Sequence, residues 1–210
     1  MSELNRLIDA QHEGIEAIAT HLDALSPGER WNEVRALGRD RQRMLFDKAA
    51  QASPIDFAHF VGTAKPREEV IHDGVNTLPL PSPLRRFQKR FCLPPGETAS
   101  GTDRLAGYNE GPTRRVVGPG YFVAIETADR PAWAARGAVV VDYFQIPEAS
   151  EIDASWPPIV DNSWRLQRFV YDQTRDFMRR VSRHVSVGAA FKRERPLDHF
   201  FVLCRRDDRS

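Results

Sequence analysis

Two short polar clusters carry the side chains best suited to acid–base or ligand chemistry. The first is His72-Asp73-Gly74-Val75-Asn76, which sets an imidazole beside a carboxylate and a glycine. An imidazole titrates near neutral pH and a carboxylate can fix its tautomer, so His72 is a candidate general base and Asn76 a candidate ligand contact. Adjacent residues rarely orient one another this way, however, and a helix C-terminus followed by an Asp-Gly turn accounts for the same letters. The second cluster is Tyr108-Asn109-Glu110-Gly111, between a strand and a proline-containing loop, where site residues concentrate. A turn is its structural alternative, because Asn and Gly tolerate positive φ.

Asp142 is the third candidate. It interrupts the apolar run Val139-Val140-Val141 and Tyr143-Phe144. A carboxylate there must find a donor or face water. Both faces of this strand are largely apolar, so Asp142 is expected either to pair with an arginine or to point into a pocket. A hairpin turning about residues 132–133 sets Asp142 opposite Val123, three residues from Glu126, so a tight Glu126–Asp142 dyad is not expected.

Other chemistries lack their spacing. His12, His21, His59, His72, His184 and His199 form no His-x-His or His-x-x-x-His pair, so no metal site is expected. Cys92 and Cys204 lie in apolar settings and read as buried free thiols. There is no nucleophile elbow, no phosphate-cradling glycine loop and no dinucleotide fingerprint, and no cofactor is expected. The 26 Arg against 4 Lys match GC-rich codon usage. The nine basic residues of 165–195 read as a helix C-terminus complemented by cations. A phosphate-binding patch is the alternative in both cases.

The 210 residues, 41% hydrophobic and 28% charged with a net charge of +1, fit a globular chain that needs no disulfide framework. That charge gives no reason to expect nucleic acid or membrane as a partner. With no leader-like N-terminus and no apolar run long enough to span a bilayer, the expected location is cytoplasmic.

The elements that must position these residues follow from periodicity. Residues 3–25 carry Leu4, Ile8, Ile15, Ile18, Leu22 and Leu25 on one helical stripe, capped by Ser2. Ser26-Pro27-Gly28-Glu29 starts a second helix with a capping box. The short link makes residues 1–52 an antiparallel helical hairpin, either packed on the remainder (53–210) or dimerising. A short helix is expected through Ile55, Ala58 and Val61, and another turn or two from Pro66 to Gly74. Residues 75–83 are extended. Leu84, Phe87 and Phe91, interleaved with Arg85, Arg86, Lys89 and Arg90, predict an amphipathic surface helix, with an edge strand as the competing element. Residues 105–108, 121–127, 138–146, 185–191 and 200–204 read as strands. Trp164 to about Val181 reads as one long helix.

The fold class expected is therefore α+β: an N-terminal helical hairpin, then a mainly antiparallel curved sheet with a long C-terminal helix. The leading functional expectation is a small-molecule-binding domain whose pocket lies on the concave face of the sheet and takes a small apolar or anionic ligand. Asn76, Tyr108, Asn109, Tyr121 and Tyr143 would contact that ligand. One alternative is a hydrolase or isomerase using His72 with Asp142 or Glu110. The other is an interaction or homodimerisation module acting through the hairpin.

Overall fold

In the computed structural model, which describes residues 2–164 and 166–206, eight strands follow one another around a closed antiparallel barrel. They are β1 (Val70–Asn76), β2 (Arg86–Cys92), β3 (Arg104–Glu110), β4 (Phe122–Glu126), β5 (Val139–Asp142), β6 (Thr174–Arg180), β7 (Val185–Lys192) and β8 (Arg195–Arg205). Each pairs with its sequence neighbour, and β8 returns to β1, with Gly74 opposite Leu203. Closure removes every sheet edge.

This corrects the α+β expectation. Among the described residues there is no long C-terminal helix: residues 174–180 are β6. Leu166, Val170, Phe177 and Val181 do recur at helical spacing, but Thr174, Asp176 and Met178 alternate with Arg175, Phe177 and Arg179, and the period of two prevails because both neighbouring strands pair with it. Residues 70–74, expected to end a helix, form β1 together with Val75 and Asn76, both expected to be extended. Residues 86–92 form β2, paired on both sides, so they are neither a surface helix nor an edge strand. Arg195 to Asp198 already belong to β8, which therefore starts well before the strand expected at 200–204. The chain reverses at Arg193 and Glu194, both at positive φ, as a two-residue hairpin requires.

The N-terminal hairpin is likewise corrected to four short helices: α1 (Glu3–Asp9), α2 (Ile15–Ala24), α3 (Pro27–Val34) and α4 (Arg39–Lys48). Gly14 and Gly38 break the two long helices, each standing extended at the N-cap of the helix that follows. The capping box at Ser26 and Glu29 forms as its spacing dictates. Buried Arg30 donates to the Leu22 and Leu25 carbonyls, and Lys48 donates to those of Ala10 and Glu13, so cations satisfy the exposed helix ends. The apolar stripe (Leu4, Ile8, Ile18, Leu22, Leu45) packs on the outer faces of β1, β7 and β8 through Val75, Val185, Val187 and Val202. No helix among the described residues is long and apolar enough to cross a membrane.

Inside the barrel, α5 (Phe57–Val61) closes one end, and Phe60, Phe91, Leu105, Phe122, Val141 and Met178 fill the lumen above it. Gly188 makes room for this filling. A Cβ there would stand 2.2 Å from the Phe201 ring and 2.8 Å from the Met178 sulfur.

Candidate ligand-binding site

The other half of the lumen is open. It forms a cavity of about 580 Å³ whose walls include Phe87, Phe201, Tyr171, Ala190 and His199. That volume lies in the range of small-molecule sites, and an eight-stranded barrel is just wide enough to hold one such ligand. The mouth carries Leu80, Leu84, Phe169, Val170 and Leu197, all substantially exposed to solvent.

A polar layer divides the cavity from the filled half. Lys89 points inward from β2 with a 1% exposed side chain, and its Nζ lies 3.0 Å from Asp176 Oδ2 on β6. The ammonium also donates to Asn109 Oδ1 at 3.2 Å and to the Tyr143 hydroxyl. Asn109 Nδ2 donates to Tyr143 Oη and to the Gly120 carbonyl, both at 3.0 Å. Tyr143 Oη lies 3.2 Å from Asp176 Oδ2 and can donate to it. Four rings surround the ammonium: Phe122, Tyr143, Phe201 and Phe87, with centroids 4.9 to 5.9 Å away. Ring faces attract a cation whose hydration has been removed.

Burial sets the protonation chemistry of this layer. Desolvation lowers the Lys89 pKa, against the opposing attraction and hydrogen bond of Asp176. Desolvation raises the Tyr143 phenol well above its usual range, so it remains a donor. Because Asp176 already balances the Lys89 charge, the floor of the cavity as a whole is close to neutral. It offers hydrogen bonds more than a net field.

Of the residues picked out by sequence, Asn76, Asn109, Glu110 and Tyr143 line this cavity. Tyr108 and Tyr121 face outward. With Cys92 and Ala106 they pack beneath Ile152 and Trp156, and the Tyr121 hydroxyl donates to the Pro157 carbonyl at 2.5 Å. Cys92 is buried in the same outer layer, and desolvation pushes its thiol up to about 12. His72 lies in the filled half, where Nε2–H donates to the Phe60 carbonyl at 2.8 Å and the ring packs against Phe60 and Phe91. Asp142 points outward from β5 and meets Arg175 at 3.2 Å. Glu110 pairs with Arg114 at 2.7 Å. His72, Asp142 and Glu110 thus hold separate partners and share no hydrogen bond.

Lys89 and Asp176 are the residues of this candidate site that the sequence does not single out. The signal for Lys89 was its alternation, Phe87-Gln88-Lys89-Arg90-Phe91, which sets lysine on the apolar side of a strand. No family model matches this chain, and neither a curated protein nor a solved structure is significantly similar to it.

Proposed function

We propose that the protein binds one elongated, mostly apolar small molecule in the open half of the barrel. Its polar end would meet the layer of Lys89, Asn109, Tyr143 and Asp176. The observation that carries this reading is the combination of an apolar cavity with a single hydrogen-bonding layer at its floor. Such sites pair apolar walls with a few convergent polar groups that fix orientation. The apolar mouth supports the same reading, because a cluster of exposed apolar side chains beside a cavity is a common mark of a ligand entrance. The near-neutral floor favours an uncharged head group, such as a carbonyl or hydroxyl, over a carboxylate, which would gain little net attraction there while losing its hydration. The two buried, separate cysteines fit a reducing compartment, in keeping with a cytoplasmic location.

Displacement of the fluorescent probe N-phenyl-naphthylamine by decanol tests this. The wild-type protein is expected to enhance the probe's emission and decanol to reverse the gain. Ala190→Trp, which fills the lumen from β7, is expected to abolish both while leaving the circular dichroism spectrum unchanged. Undiminished probe binding to a folded Ala190→Trp variant would move the site elsewhere.

A further inference from the structure

We infer that Lys89 captures aldehyde ligands covalently, forming a reversible imine at the floor of the barrel cavity. The inference rests on the cavity reading above and names the ligand class the site is built for. Lys89 is one of only four lysines, with Lys48, Lys65 and Lys192, and its ammonium alone belongs to the floor layer. Its position favours nucleophilic chemistry. Four rings and a 1% exposed side chain remove the water that ordinarily keeps an ammonium protonated, and the lowered Lys89 pKa agrees with that geometry.

The neighbours supply what imine formation requires. Asp176, 3.0 Å from Nζ, accepts the proton that frees the lone pair. The nitrogen attacks the carbonyl carbon, and the C=O π pair moves to oxygen, which takes that proton back from Asp176. Asp176 then removes a second proton from nitrogen. The nitrogen lone pair expels the hydroxyl, which leaves as water with that proton. The sum is Lys–NH3⁺ plus O=CHR giving Lys–NH⁺=CHR plus water. No redox partner is needed, and the iminium retains Asp176 as counter-ion. Asn109 and the Tyr143 hydroxyl, both within hydrogen-bond reach of Nζ, are placed to hold the carbinolamine oxygen. Tyr143 stays protonated for this, because burial raises its phenol. The apolar walls take the alkyl or aryl body of the aldehyde.

The experiment treats the full chain with decanal and sodium cyanoborohydride, with decanol as the non-reacting control, and reads intact mass and a lysine-resolved peptide map. The expected result is one adduct on Lys89, heavier by the aldehyde less one oxygen, formed ahead of any at Lys48, Lys65 or Lys192. Decanol should suppress it in competition. Lys89→Arg, which keeps the cation for Asp176, should lose that adduct. The wild-type map decides the matter even if this variant does not fold. Displacement of the fluorescent probe by both decanal and decanol, with adducts only on Lys48, Lys65 and Lys192, would overturn the imine and leave the cavity reading standing. Displacement by neither would overturn both.

Discussion

Lys89 on β2 and Asp176 on β6 meet inside the barrel at 3.0 Å, although their strands stand opposite one another in the ring of eight. The pair is a strut across the lumen. On one side of it the interior is packed with Phe60, Phe91, Leu105 and Met178; on the other lies the cavity.

Removing one end of the strut leaves a buried charge alone. Lys89→Met should lower stability by roughly 3–5 kcal/mol, and Asp176→Leu by a similar amount, whereas the double variant should recover much of the loss. Urea unfolding of the three proteins measures this. Simple additivity would show that the two groups do not depend on one another.

The closed end should be acid-sensitive. Burial pushes His72 down to about 3 and His59 well below the usual imidazole range, their rings lie 6.3 Å apart, and neither ring nitrogen of His59 has a hydrogen-bond partner. The unfolded chain takes up protons near pH 6.5 while the folded chain refuses them, so stability is full above that pH. It is lost as pH falls toward the folded values, by about 1.4 kcal/mol per pH unit for each imidazole. His59→Leu should remove one imidazole's share of the slope between about pH 6 and pH 4.5 in urea unfolding. Curves parallel to wild type would contradict the assignment.

Packing against Gly188 can be tested by size alone. Gly188→Ala should cost about 1–3 kcal/mol, because the added methyl meets the Phe201 ring at 2.2 Å and that ring is itself packed. Thermal unfolding reads this directly, and an unchanged midpoint would mean that the interior yields freely.

The N-terminal helices should be structural. Leu45→Ala, at a fully buried site among the helices and the outer barrel wall, should cost about 2–5 kcal/mol. Chemical denaturation gives the value. A loss well under 1 kcal/mol would show that the stripe does not depend on this contact.

The β4–β5 hairpin was readable from sequence, down to Val123 opposite Asp142 and an arginine partner for that carboxylate, because both strands are continuous apolar runs with turn residues between them. The start of α3 was readable for a similar reason, since Ser26-Pro27-Gly28-Glu29 is a local signal complete in four residues. The barrel was not. Closure depends on β8 pairing with β1, about 130 residues apart, and no local pattern encodes that pairing. β2 and β6 were hidden because charged residues occupy both their outward faces and two inward positions. Lys89 and Asp176 interrupt the apolar faces of these strands, so that one reads as a surface helix and the other as the end of a long helix, and the same two residues pair at the floor of the cavity. A polar group in the lumen breaks the alternation that would have revealed the strand, and here it also builds the floor of the cavity.

The most direct test of the cavity is to observe a ligand within it. Intermolecular nuclear Overhauser effects between decanol and the isotope-labelled protein should connect its alkyl chain to the rings of Phe87, Phe201 and Tyr171, with its first methylene nearest Asn109 and Tyr143. Effects confined to outer-layer residues such as Tyr108, Tyr121 and Trp156, with none to the lumen, would show that the barrel interior is not where the ligand binds.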